Sequence, residues 1–179
     1  MVEERVTVPE GVKVTVVGPL VTVTAGKGAV ERIFSAPGAS LTLKGKEIHI
    51  RIKGERREHR SLAGTWRGHL QNMFEGAAFG LEYRLKIVYT HFPIKAQVKG
   101  NRFVIENFLG EKNTRAVDLA AGVKAEVKGD MVHLTGNDLE TLGYCASRIE
   151  QATKIKDRDP RIFQDGIYIT AKGTRTTAK

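Results

Sequence analysis

The sequence predicts an α+β protein made by tandem duplication of a small module, several antiparallel strands packed with one helix. Three observations lead there. Apolar and polar residues alternate with a period of two through much of the first 53 residues. The period then lengthens to that of a helix over about 57–79. Finally, the chain resembles itself at an offset of 84 residues.

The strands come first. VKVTVV (12–17) and LVTVTA (20–25) flank Gly18-Pro19, a turn signal. AVERIFS (29–35) follows Gly26-Lys27-Gly28, and SLTL leads through the turn Lys44-Gly45-Lys46 into EIHIRIK (47–53). In that last segment Ile48, Ile50 and Ile52 alternate with Glu47, His49, Arg51 and Lys53, the pattern of a strand with one buried face. Leu62, Trp66, Leu70, Met73 and Ala77 then recur at spacings of 4, 4, 3 and 4, the stripe of an amphipathic helix. Gly64, Gly68 and Gly76 each weaken that helix by about 1 kcal/mol relative to Ala. Tertiary packing is therefore expected to hold it, with a close backbone approach at the glycines.

The duplication is read by laying residues 26–50 over residues 110–134. Gly26, Ala36, Gly38, Lys44, Gly45 and His49 meet Gly110, Ala120, Gly122, Lys128, Gly129 and His133. Apolar parity agrees as well, Ile48 with Val132 and Ile50 with Leu134. A second helix comes next, opening at Asn137-Asp138-Leu139-Glu140 as an N-cap with a Glu three residues on, and burying Leu139, Leu142, Ala146 and Ile149. The expected modules are 1–81 and 82–179, with LEYRLKIVYTHF carrying the chain from one to the other.

Composition narrows the class of partner. Apolar residues at 41% and charged residues at 27% fit a globular protein. The net charge of +9 favours a polyanion. That charge is clustered: residues 51–70 carry six Lys/Arg against two Glu, and residues 151–179 carry seven against three Asp, so each stretch nets +4. Cys145 is the one cysteine, which rules out an intrachain disulfide. MVEERVTVPEG has no charged-then-apolar leader pattern, and no apolar run approaches the ~18 residues of a membrane span. A soluble intracellular protein is expected, with no membrane association.

Catalytic and cofactor chemistry finds no support. His49, His59, His69, His91 and His133 show no metal spacing, and one cysteine cannot supply a zinc cage. His49 and His133 read as hydrogen-bonding residues on the polar face of a strand. Gly26-Lys27-Gly28 lacks the remainder of a phosphate loop, because no Ser or Thr follows Lys27. Asp157 and Asp159 form a candidate acid–base pair, but Arg158 and Arg161 beside them favour local ion pairing. No cofactor, metal or small-molecule substrate is expected.

KDRDPRIFQDGIYI (156–169) is the most distinctive stretch. Asp165-Gly166 between RIF and IYI signals a hairpin, since Gly tolerates the positive φ of a tight turn. Pro160 lacks an N–H and biases Asp159 toward extended geometry, so the lead-in to the turn is expected to be exposed and non-helical. Lys154, Lys156, Arg158 and Arg161 then project from a braced segment. Two readings stay open on these residues alone: a solvated charged loop closing the second module, or a polyanion contact. RIKGERREHR (51–60) is equally balanced between a solvated turn and a second contact, and KGTRTTAK (172–179) reads as a polar tail that orders only against a partner.

Gln151, Ile155, Arg158, Arg161, Phe163, Asp165, Gly166, Ile167, Tyr168, Ile169 and Lys172 reproduce, with every spacing kept, the C-terminal signature of ribosomal protein six of the large subunit. FGLEYRLKIVYTHFPIK (79–95) and ENFLGEK (106–112) resemble the same family, in its archaeal and eukaryotic form. The resemblance implies a structural constituent of the large ribosomal subunit that is not an enzyme. It implies binding to large-subunit rRNA, mainly through the second module and the tail after its helix. The implied place is near the sarcin–ricin region and the stalk base, beside neighbouring ribosomal proteins, one copy per cytoplasmic ribosome. The candidate RNA contacts are Lys154, Lys156, Arg158, Arg161, Tyr168, Lys172 and Arg175, with Lys112 and Arg115 ahead of the second helix; Pro160, Asp165 and Gly166 are the candidate turn. The competing functional reading is a free-standing RNA-binding enzyme or RNA chaperone.

Overall fold

The computed structural model describes residues 1–156, 158–159 and 161–176. The chain divides into two compact units, Met1–Gly80 and Leu81–Lys179. Leu81, expected at the end of the first module, opens the first strand of the second unit.

In the first unit the strands are β1 (Val2–Thr7), β2 (Lys13–Val17), β3 (Leu20–Ala25), β4 (Gly28–Ile33), β5 (Ala39–Lys44) and β6 (Glu47–Ile52), followed by α1 (Arg57–Phe79). They form two antiparallel three-stranded sheets, ordered β1-β6-β5 and β2-β3-β4. The isoleucine alternation in β6 does what a period of two dictates: Ile48, Ile50 and Ile52 are all buried. They meet Trp66, Leu70, Met73 and Ala77 from α1 and Val21 and Val23 from β3 in one core. Phe34 meets Trp66 edge to face, with centroids 5.4 Å apart. At Gly64 and Gly68 the expected close approach is absent, because a Cβ built at either would touch nothing within 4 Å.

The second unit holds β7 (Leu81–Val88), β8 (Lys95–Lys99), β9 (Arg102–Glu106), a single 3-10 turn at Phe108–Gly110, β10 (Arg115–Asp118), β11 (Lys124–Lys128), β12 (Met131–Gly136), α2 (Leu139–Ala152) and β13 (Gly166–Arg175). Its sheets are ordered β11-β12-β7-β13 and β10-β9-β8. Phe103, Ile105, Phe108, Leu85, Leu134, Leu142, Ile149 and Ile167 fill a second core.

The duplication is visible strand by strand. β5-β6-β1 corresponds to β11-β12-β7, and Gly45 and Gly129 turn the two hairpins at φ of +61° and +58°. His49 lies 3.1 Å from Glu3, and His133 lies 2.5 Å from Glu82. Arg5 is opposite His49 and Arg84 opposite His133, so the Glu-x-Arg of β1 recurs in β7.

Three sequence expectations change here. The N-cap of α2 is Asp138 and not Asn137: its carboxylate accepts the N–H groups of Glu140 and Thr141 at 3.3 and 3.2 Å. An ionised oxygen at that position satisfies two of the helix's unpaired donors and opposes the positive end of the dipole. Of the residues named for the buried face, Leu142, Ala146 and Ile149 are buried with Cys145, while Leu139 is partly buried. The tail, expected to be unstructured when free, continues β13 as far as Arg175, paired with Leu81. The eight residues of β7 offer an edge long enough to receive it. The strand shifts register twice on the way, and Gly173 makes this feasible: its φ is +57°, and a Cβ there would lie 2.6 Å from Leu139 Cδ1. Residues 177–179 lie outside the described residues.

Replacing Asp138 by Ala is expected to lower stability by about 1 kcal/mol in a urea titration.

Candidate nucleic-acid interface

The segment between α2 and β13 is fixed at both ends. Thr153, at the end of α2, is buried; its hydroxyl donates to the Glu150 carbonyl at 3.1 Å and accepts the Ile167 N–H at 2.9 Å. The Glu150 carboxylate accepts the Ile169 N–H at 3.0 Å. Helix end and strand start are therefore fastened by side chains that bond to backbone.

Asp165 makes the third fastening. Its side chain is fully buried. It accepts the N–H groups of Thr90 and His91 at 2.9 and 3.2 Å, the Thr90 hydroxyl at 2.9 Å and His91 Nδ1–H at 2.8 Å. A carboxylate only accepts, so this ring nitrogen carries the hydrogen. Burial pushes the Asp165 pKa up, but the bonds from His91 and Thr90 outweigh it and hold the carboxyl well below its ordinary range.

From Asp165 the bracing runs outward. His91 stacks on Phe163, with centroids 4.6 Å apart and planes 20° apart. The Arg158 guanidinium also packs on Phe163, 4.6 Å from the ring centroid. Asp159 turns the chain: its carboxylate accepts the Arg161 N–H at 2.9 Å, and its carbonyl accepts those of Ile162 and Phe163 at 3.1 and 3.0 Å. Lys154, Lys156, Arg158 and Arg161 are all exposed.

Lys154, Ile155 and Arg158, with Gln151, wall two surface depressions of about 500 and 490 Å3. Glu150, Thr153, Phe163 and Tyr168 complete the first; Phe108, Glu111, Arg115 and Lys156 help to complete the second. The two depressions thus share one cationic wall.

The expected hairpin is not formed. Residues 161–165 are turn and irregular chain, and Gly166 is buried in β13 without a positive φ. Glycine is needed there for another reason. The Tyr168 ring folds back over it, so that a Cβ at 166 would lie 3.0 Å from Tyr168 Cζ, while the Tyr168 hydroxyl donates to the Gln164 carbonyl at 3.2 Å. Pro160 and Asp157 lie outside the described residues.

The other candidates separate. Arg115 is committed within the chain: its guanidinium donates twice to Glu111, at 2.9 and 2.5 Å, and once to the Ala152 carbonyl at the end of α2, at 2.6 Å, and lies 4.3 Å from the Phe108 centroid. Those hydrogen bonds hold the Glu111 carboxyl below its usual range. Arg115 is a brace for the helix end. Lys112, Lys172 and Arg175 line neither depression. Sequence reasoning passed over His91, Gln151 and Ile155 as site components, and the signature spacing of Gln151 and Ile155 was the available signal. Among the described residues no cluster of three or more His, Cys, Asp or Glu could hold a metal ion. No described helix is long and apolar enough to cross a membrane.

Asp165→Asn is expected to cost about 2–4 kcal/mol at neutral pH, because the amide places donors against donors. Since the folded-state pKa is depressed, the stabilisation is fully present above about pH 4 and disappears as pH falls through the folded value, so acid unfolding should be steeper in the wild type than in the variant. Gly166→Ala is expected to displace the Tyr168 ring at a cost of about 1–3 kcal/mol while the fold persists, as followed by thermal unfolding and tyrosine fluorescence.

Comparison with known proteins agrees with this architecture. The family described as Ribosomal protein L6 matches residues 92–166. Large ribosomal subunit protein uL6 of Methanocella arvoryzae is 44% identical over 169 residues, covering 94% of this chain and 96% of that protein. Its counterpart in Aeropyrum pernix is 46% identical over 169 residues, covering 94% and 93%, and that of Methanococcus vannielii 40% over 172 residues, covering 96% and 94%. With near-complete coverage at this identity, the chain belongs to the ribosomal protein L6 family, in its archaeal form.

Proposed function

We propose that the protein is a non-catalytic structural component of the large ribosomal subunit, in the cytoplasm, and that it binds large-subunit rRNA through the braced segment after α2. The observation that carries the reading is the column His91–Phe163–Arg158, rooted in the buried carboxylate of Asp165. It fixes one guanidinium at the surface among Lys154, Lys156 and Arg161. Folded RNA is recognised largely by shape, through phosphates and 2′-hydroxyls, and a fixed planar fork suits phosphate oxygens. Ordering the cation before binding lowers the entropy lost on association. Tyr168 offers a ring beside the same wall, and Lys172 and Arg175 extend the positive charge along β13. The family's place near the sarcin–ricin region and the stalk base, beside neighbouring ribosomal proteins, fits a single copy presenting this surface to folded RNA.

With about four cations meeting phosphate, log affinity for large-subunit rRNA should fall with log salt at a slope of roughly −3 to −4. Changing Lys156, Arg158 and Arg161 together to Ala is expected to flatten that slope by about 2–3 while the fold persists, the melting temperature falling by no more than about 4 °C through loss of the Arg158–Phe163 contact. An unchanged slope in the triple variant removes the segment from the interface. Salt-resistant co-sedimentation of the wild type with large subunits tests the ribosomal assignment separately.

A further inference from the structure

The two units share a frame but differ at one border. In the second, β7 is covered on its far side by β13, which runs antiparallel to it. β1 occupies the position of β7 in the first unit, and among the described residues it pairs with β6 alone. The opposite strands of these sheets, β5 and β11, lie against β2 and β8 of their own units. The outer side of β1 is therefore the place where the first unit lacks a strand that the second supplies to itself.

A groove is present there. It has a volume of about 620 Å3 and lies between Arg5, Val6, Thr7 and Pro9 on one wall and Arg67, Gln71, Phe74 and Glu75 of α1 on the other. β1 holds register with β6 through six successive residues, Val2 to Thr7, without a bulge. A regular row of backbone donors and acceptors is what an added strand requires. The α1 wall continues over Gly64 and Gly68, on the same helix face as Gln71 and Glu75, where a side chain would meet nothing in this chain. The charges also select an occupant. Glu3 is hydrogen-bonded to His49 and Glu4 lies 3.6 Å from Arg67, so the carboxylates of β1 are engaged within the unit; Arg5, Arg67 and Glu75 line the groove, two cations to one carboxylate.

We infer that this groove receives an extended segment of a neighbouring protein in the particle, added antiparallel to β1 as β13 is added to β7. Its side chains lie along the exposed Thr7 and Gln71 of the two walls, and a carboxylate passes Arg5. The inference rests on the ribosomal assignment, and the experiment separates the two.

Full-length protein with the photoreactive amino acid p-benzoylphenylalanine in place of Thr7 or of Gln71 is assembled into large subunits. Crosslinks are read only from particles that contain it. The expected product joins the groove to a peptide of another protein. Crosslinks to nucleotides alone, to this chain or a second copy of it, or none from either position, overturn the inference, whereas failure of the wild type to enter particles overturns the ribosomal assignment. In the wild type, amide hydrogen exchange of residues 2–7 should slow at least tenfold between free chain and particle; an unchanged rate also overturns the inference. Gly68→Gln should keep or raise the melting temperature of the free protein and reduce the crosslink yield at least fivefold, and an unchanged yield excludes the helix wall from the docking site.

Discussion

Attachment of β13 to β7 is the interaction on which the second unit's surface depends. A loop leaving a helix end is ordinarily mobile, since each ordered residue costs about 1–2 kcal/mol of backbone entropy. Here both of its ends are held: Thr153 and Glu150 tie the helix to Ile167 and Ile169, and Asp165 ties the loop to Thr90 and His91. The loop therefore closes over a fixed span, and its aromatic and cationic residues stack in a defined order. Loss of the β13 attachment would release Phe163, and with it the platform under Arg158.

The same frame is used twice with different outcomes. In each unit a hairpin turned by a left-handed glycine packs on a helix, and a His–Glu pair crosses the neighbouring strands. The second unit pairs β13 with its own β7 and turns the intervening loop into a charged surface. The first passes its chain on after α1 and keeps a bare border. The acidic groups near the charged surface serve as struts: Asp165 holds His91, Asp159 holds a turn, and Glu111 holds Arg115. Asp165 and Glu111, held below the ordinary carboxylate range by their donors, are poorly suited to proton transfer and well suited to holding shape.

Much of the frame was legible in the sequence because its signals are local and repeated. The isoleucines of β6 and the apolar stripe of α1 each span several periods, and the repeated Lys-Gly turn fixed the duplication. β1 was missed: Glu3-Glu4-Arg5 interrupts its apolar content, and its kinship with β7 falls at an offset of 79 instead of 84. The role of Asp165-Gly166 was hidden by distance. As a dipeptide it reads as a turn, but its behaviour is decided by Thr90 and His91, 75 and 74 positions earlier, and by the Tyr168 ring. The bracing part of Arg115 was hidden for a similar reason, since besides Glu111 it bonds the end of α2, 37 positions on.

The two register breaks in β13 have a consequence for the protein before it meets any RNA. β13 is the outermost strand of its sheet, and an outermost strand with an even row of N–H and C=O groups invites identical chains to stack upon it. Between Ile169 and Thr174 that row is interrupted twice, with Lys172 and a left-handed Gly173 inside the interruption. A newly made copy at high concentration thus offers its siblings no continuous seam on this side, and the irregularity acts as a safeguard against aggregation.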